Sequence, residues 1–221
     1  MSAGPEILHA CNHVLCVAKP PGLPVVPDSS GDESLFDQVK AWIKVEYQKP
    51  GEVFLGVVHR LDRPVSGVVC FARTSKGAAR LGESFRAKTA QKTYVARLSS
   101  PLRTSHPASG AVEHWLLKDS ARNVVRVVPE GTAGAKLARS EYRILKNRTW
   151  VNLSPVTGRS HQLRVAMASL GSPLLGDLKY GATEPLADKS IALHAERLVL
   201  PHPTRDDLVD VTAPFPSNGV W

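Results

Sequence analysis

The apolar positions of this chain follow two rhythms, and their order predicts an α+β fold. Short apolar runs bounded by Gly, Pro, Asn and Asp read as strands. The first covers residues 7–18 and ends in Val14-Leu15-Cys16-Val17-Ala18; Lys19-Pro20-Pro21-Gly22 then turns the chain into a short second strand at 23–26. Two more runs, 53–58 and 68–72, flank a polar loop. Residues 91–98 alternate, with Thr93, Val95 and Arg97 on one face and Lys92, Tyr94 and Ala96 on the other. Strand pairs follow at 112–117 with 124–128, and at 138–146 with 149–154, the latter turned at Asn147-Arg148.

Helical spacing appears three times. Leu35, Val39, Trp42 and Ile43 share a face over 35–47, with Ser34 as cap and Asp37 at the capping-box position. Ala78, Leu81 and Phe85 do so over 76–88, capped by Thr74 or Ser75. Leu163, Met167 and Leu170 do so in a helix capped by Ser160 and ended by Gly171. The pattern predicts a mixed, mainly antiparallel sheet with helices packed on it. No repeat or long linker divides it, so a single domain over 1–221 is expected.

The chemistry concentrates in the loop between the runs at 53–58 and 68–72. There His59-Arg60-Leu61-Asp62-Arg63-Pro64-Val65-Ser66-Gly67 puts a lone carboxylate between two guanidinium groups. Pro64 and Gly67 punctuate the loop. Cationic neighbours keep such an Asp ionised, which suits a nucleophile or a permanent anion. An isolated Asp in a turn is more often a turn former, bonding its own backbone.

Composition sharpens the choice of partner. The net charge is +8 over 221 residues, and residues 71–103 hold eight basic side chains against Glu83 alone. A basic stripe of this kind (Arg73, Lys76, Arg80, Arg86, Lys88, Lys92, Arg97 and Arg103) is expected to touch phosphate. Cys11, Cys16 and Cys70 are odd in number and form no Cys-x-x-Cys, which argues against a disulfide framework or thiolate zinc site. Met1–Glu6 shows no signal-peptide pattern and no apolar run approaches membrane-spanning length, so a cytoplasmic setting without membrane is expected. A phosphate loop fails because Gly176 is followed by Asp177; a serine hydrolase lacks its Gly-x-Ser-x-Gly elbow; a metal hydrolase lacks clustered His.

Three separated phrases, His59-Arg60-Leu61-Asp62 through Ser66-Gly67, Lys92-x-Tyr94-x-Ala96 and Gly158-Arg159-x-His161-Gln162-Leu163-Arg164, resemble the RluA family of pseudouridine synthases. The likeness extends through Lys19-Pro20-x-Gly22 and residues 171–181, and covers about residues 7–215. It implies that Asp62 is the catalytic carboxylate, that Tyr94 packs on the target base, and that Arg164 is the salt-bridge partner of Asp62. Leu163 is implied to lie near the base, and Arg60 to hold phosphate or fill the gap left by a flipped base. His59, which reads first as structural, and Arg159 complete the set of RNA-contact candidates. Two positions depart from the family pattern: Val65 stands where Thr is usual, and Ala166 where His is frequent. The resemblance further implies isomerisation of uridine in structured RNA, ribosomal or transfer, without cofactor or metal, by a monomer lacking an S4-like extension. The alternative is a non-catalytic RNA-binding or RNA-chaperone protein on the same scaffold.

Overall fold

Ser34 and Asp37 close a reciprocal capping box. The Asp37 amide donates to Ser34 Oγ at 3.2 Å, and the Ser34 amide to Asp37 Oδ2 at 3.2 Å. Thr74 caps the next helix by accepting from the Gly77 amide at 3.0 Å. Both signals are local, and both fold as read. The computed structural model describes residues 4–221, so the reading of Met1–Glu6 lies partly outside the described residues.

The elements run β1 (Glu6–Ala10), β2 (Val14–Lys19), α1 (Leu35–Glu46), β3 (Gly56–Val57), β4 (Ser66–Ala72), α2 (Ser75–Arg86) and β5 (Gln91–Arg97). Then come β6 (Ser109–Asp119), β7 (Val124–Val128), β8 (Lys136–Lys146), β9 (Trp150–Pro155), α3 (Gln162–Ser169), a 3-10 turn (Leu178–Tyr180), β10 (Leu193–Pro201) and β11 (Leu208–Thr212). The architecture is α+β with a mixed, mainly antiparallel sheet, as the hydrophobic pattern predicts.

Two compact units can be described. The first runs to Lys92 and adds Ala195–Gly219 and Trp221. Its strand order is β1-β2-β4-β10-β11, with β3 beside one end of β4. Every residue of β4 is buried. Alternation explains why: Val68, Cys70 and Ala72 face one way with Val14, Cys16, Leu198 and Leu200, and α2 covers them through Leu81. Phe71 faces the other way, its ring 6.4 Å from Phe36 of α1. A strand covered on both faces reads as a continuous apolar run, not an alternating one.

Three expectations change in this unit. Residues 7–18 are not one strand but a hairpin, β1 against β2, turned where the Cys11 amide donates to the Val14 carbonyl. Only Gly56–Val57 of the run at 53–58 is a strand, pairing with Phe71 and Ala72. Residues 23–26 form none. Pro24 has no N–H, and the carbonyls of Pro24 and Val25 accept the Leu35 and Phe36 amides at the start of α1. The helix terminus thus takes the acceptors a sheet neighbour would need.

The second unit holds Thr93–His194 and Val220. Its order is β5-β9-β8-β6-β7, each pairing antiparallel. Asn147 and Arg148, both at positive φ, turn β8 into β9 as read. The Arg148 side chain then donates to the carbonyls of Leu102, Arg103 and His106, which fixes the long loop before β6. Buried Val165 of α3 packs with Leu116, Val125 and Ala138 of the sheet.

Candidate active site

The loop that carries Asp62 is held from both sides. At its far end β4 begins at Ser66, one residue before the expected breaker Gly67. Gly67 has φ +120°, and a Cβ there would lie 2.2 Å from the Ala195 carbonyl oxygen. Only glycine gives β4 this conformation and lets β10 approach so closely. Within the loop the Val65 amide donates to the Asp62 carbonyl at 3.0 Å, while Leu61 and Val65 are buried. Val65, the departure from Thr, is therefore a core contact.

The Arg63 carbonyl is the main anchor. It accepts from the Gly22 amide at 2.8 Å and from Lys19 Nζ at 3.0 Å. The Arg63 guanidinium turns outward: Nε donates to the Gly22 carbonyl, Nη1 to Ser30 Oγ, and Nη2 to Asp32. This corrects the picture of Asp62 held between two guanidinium groups, because Arg63 ties the loop at residues 28–32 to the motif. Arg60 is exposed.

Lys19, singled out in the sequence only within the phrase Lys19-Pro20-x-Gly22, is built into this anchor. It lies opposite Gly67 in the β2–β4 register and is 2% exposed. Its ammonium also donates to the carbonyls of Pro20 and Leu23. Burial brings its pKa down to about 7; Asp62 opposes that shift and Arg63 adds to it. The available signal was a lysine ending an apolar run just before Pro-Pro-Gly.

His59 is used by the fold. Its Nε2 accepts from the Cys70 amide at 2.8 Å, and its ring stacks on Phe85 at 4.6 Å. An accepting Nε2 assigns the proton to Nδ1. Burial first, and Lys92 second, lower its pKa to about 3. This geometry gives the ring the structural part that its sequence suggested first. The sign of the linkage follows: the unfolded ring protonates first, so this contribution to stability is full above about pH 6.5 and falls toward pH 3. The ring is expected to stay neutral at pH 5 in an NMR titration of its carbon-bound protons; a midpoint above pH 5 would contradict the placement.

In the second unit Tyr94 is buried on β5, paired with Leu153. Leu163 and Arg164 are buried in the first turn of α3. His161, not Ser160, is the cap residue, at φ 52° and without a side-chain cap bond. Gln162 ties the turn before the helix to the neighbouring strand. Its Oε1 accepts from the Arg159 amide and Thr157 Oγ1, and its Nε2 donates to the Arg139 carbonyl and Ser140 Oγ. The exposed Arg159 donates through Nε to the Leu137 carbonyl. Ala166 is buried, and the helix buries nearly its whole circumference, not the single stripe expected.

Arg164 sits at the positive end of α3, where a cation is disfavoured. Asp177 offsets this with a two-point pair, Nε to Oδ2 at 2.7 Å and Nη2 to Oδ1 at 2.8 Å. The guanidinium also lies 5.0 Å from the Tyr180 ring centre. Tyr180 Oη accepts from the Val125 amide at 2.9 Å and bonds His161 Nδ1 at 2.6 Å. Asp177 and Tyr180 were noticed only as part of the likeness at 171–181.

Part of the basic stripe also bonds within the chain. Arg73 donates to the Cys11 carbonyl and Tyr47 Oη, Arg80 to the Pro203 carbonyl, Arg86 to Glu83, and Arg97 to the Val220 carbonyl. Lys76 on α2 and Lys88 just past its end remain exposed. Among the described residues no three His, Cys, Asp or Glu side chains gather to hold a metal ion, and no helix is long and apolar enough to cross a membrane.

Comparison with known proteins adds to this geometry. A family model described as RNA pseudouridylate synthase matches residues 13–169. The dual-specificity RNA pseudouridine synthase RluA of Escherichia coli is 36% identical over 213 residues, covering 94% of this chain and 92% of that protein. The uncharacterized RNA pseudouridine synthase YhcT of Bacillus subtilis is 33% identical over 219 residues, covering 96% of this chain and 69% of that one. The solved structure of human RNA pseudouridylate synthase domain containing 4 superposes with a TM-score of 0.78 at 25% identity, over 96% of this chain and 89% of that one.

Proposed function

As a member of the RNA pseudouridylate synthase family, this chain is an RNA-modifying isomerase, and we propose that it converts uridine to pseudouridine in structured ribosomal or transfer RNA through the carboxylate of Asp62. The reaction breaks the C1′–N1 bond, turns the uracil, and joins C1′ to C5, which loses its proton. No electrons are exchanged with an external group, so the chemistry calls for no redox cofactor. The carboxylate must be ionised at C1′, whether it attacks that carbon or removes a sugar proton. One such group distinguishes the reaction from ordinary glycoside hydrolysis, which uses two.

The observation that carries the reading is the anchored Asp62 loop, gripped at the Arg63 carbonyl by Lys19 and Gly22. Sequence likeness supplies the roles of the other groups. Tyr94 packs on the uracil and retains it after cleavage, with Leu163 beside it. Arg164 keeps the carboxylate charged and oriented. Arg60 and Arg159 meet the RNA backbone, where the net charge of +8 favours a polyanion. The target base leaves its stack to reach the site. The chain acts as one catalytic domain, a monomer in the cytoplasm. The dual specificity in the name of the Escherichia coli relative supports including both ribosomal and transfer RNA.

Purified protein is expected to release tritium from RNA labelled at C5 of uridine, prepared from cells that lack the enzyme. Hydrogen leaves C5 only when the base is rejoined there. Absence of release, together with tight salt-sensitive RNA binding, would favour the non-catalytic alternative.

A further inference from the structure

We infer that Tyr180 is a positioning residue for Arg164: its ring is the face on which the guanidinium lies, and its hydroxyl, bonded to His161 and to β7, holds that ring in place. The inference rests on the reading of Arg164 as the partner of the reacting carboxylate.

Asp177 alone does not fix the guanidinium. It accepts from Nε at 2.7 Å and from Nη2 at 2.8 Å, which sets the direction of the group within its own plane. The plane itself can still rock about the line through the two carboxylate oxygens. The Tyr180 ring removes that freedom. The guanidinium carbon lies over it, 5.0 Å from the ring centre, within the range of cation–π attraction. The edge of the guanidinium that faces away from Asp177 is thus aimed from two sides. On the reading above, that edge is the one that serves Asp62.

The ring is itself held. Tyr180 closes the 3-10 turn, which is fastened along the start of β7, the last strand in its sheet order. Lys179 Nζ donates to the Asn123 carbonyl at 2.9 Å, and the Val125 amide donates to Tyr180 Oη at 2.9 Å. Oη has a single hydrogen, and an amide N–H only donates. Oη therefore accepts from Val125 and gives its hydrogen to His161 Nδ1, at 2.6 Å. The imidazole also meets the phenol ring edge-on, with centres 5.7 Å apart and planes at 77°. His161 has φ 52°, a conformation that disfavours any residue with a Cβ. Its side chain makes no cap bond to α3 and turns to Tyr180 instead. A phenol that donates to an imidazole carries more negative charge on its ring, which strengthens the attraction for the cation above it. Packing against Leu116, Val125, Ala138 and Val165 calls only for an apolar ring, and explains neither bond of Oη.

The test is single-turnover tritium release from C5-labelled RNA over a series of protein concentrations, with protein in excess. Wild type, Tyr180→Phe and Tyr180→Leu are compared, with circular dichroism to monitor folding. Tyr180→Leu keeps apolar bulk and removes the ring face. Its maximal rate should fall about 10- to 30-fold, the scale of a desolvated cation–π contact, while half-saturation stays within about threefold of wild type. Tyr180→Phe keeps the ring without its anchors and should lie between the two. In Arg164→Lys protein, whose compact ammonium does not lie flat on a ring, Tyr180→Leu should change the rate by less than about twofold. A maximal rate within about twofold of wild type in folded Tyr180→Leu overturns the inference, as does RNA binding that weakens as much as the rate falls. So does an effect of Tyr180→Leu that is undiminished in Arg164→Lys protein, because a purely structural role does not depend on the guanidinium. If Tyr180→Leu does not fold, nitrogen-15 NMR of the Arg164 Nε–H, identified by its loss in Arg164→Lys, decides. That resonance must move between wild type and Tyr180→Phe, and an unmoved resonance overturns the inference. Wild-type protein that releases no tritium would instead overturn the reading of the site, and the resonance would still decide the contact itself.

Discussion

Asp62→Asn should lower tritium release by at least about a thousandfold, the scale of losing a reacting group, while RNA affinity stays within a few-fold of wild type. Asn keeps the size and turn preference of Asp but supplies neither an anionic nucleophile nor a base. The loop should survive the change, because its anchors are main-chain groups: the Asp62 carbonyl takes the Val65 amide, and the Arg63 carbonyl takes Gly22 and Lys19. Tritium release and filter binding on the same preparation check both halves. RNA binding that weakens as much as catalysis would make Asp62 a structural carboxylate. Activity that persists would remove it from the chemistry.

Asp177→Ala should cost the protein roughly 3–5 kcal/mol, because it takes a two-point carboxylate partner from a buried guanidinium. Arg164 is 5% exposed and Asp177 is 1% exposed. Their two-point pair is what makes a cation tolerable at the start of α3. For a chain of this size that cost lowers the melting midpoint by on the order of 10 °C. A paired change, Arg164→Met with Asp177→Leu, should recover most of the stability, since no charge is left buried, yet remain inactive because Arg164 is gone. A single Asp177→Ala variant melting within about 2 °C of wild type would show that water or another group reaches Arg164.

Signals contained within four or five residues were readable before the structure was known. The Ser34–Asp37 box, the Thr74 cap and the Asn147-Arg148 turn are of this kind, since each residue bonds its own neighbourhood. The sequence motifs also led directly to the Asp62 loop and to α3. What escaped were side chains whose partners lie far along the chain. Lys19 is read as a turn residue until the Arg63 carbonyl, 44 positions away, is known to be its acceptor. Arg164 and Asp177 are 13 apart and meet only because the 3-10 turn brings Asp177 under the helix. For the basic stripe the reason is related: a charge count does not say which of its arginines also donate to carbonyls of the chain itself. The Cys70 amide and His59 are 11 apart: the sequence suggested a structural ring but did not name its partner.

One long edge of β4 is shared. β10 lies along it at Gly67, β3 along it at Phe71 and Ala72, and His59 takes the Cys70 amide between them. The residues joining β3 to β4 are thus fastened at intervals to the very strand they lead into. Adding or deleting one residue there would either pull the imidazole from its amide or move Gly67 away from Ala195. Variation in this part of the molecule is therefore confined to the choice of side chains, and the number of residues between Val57 and Gly67 is the quantity that descent must leave alone.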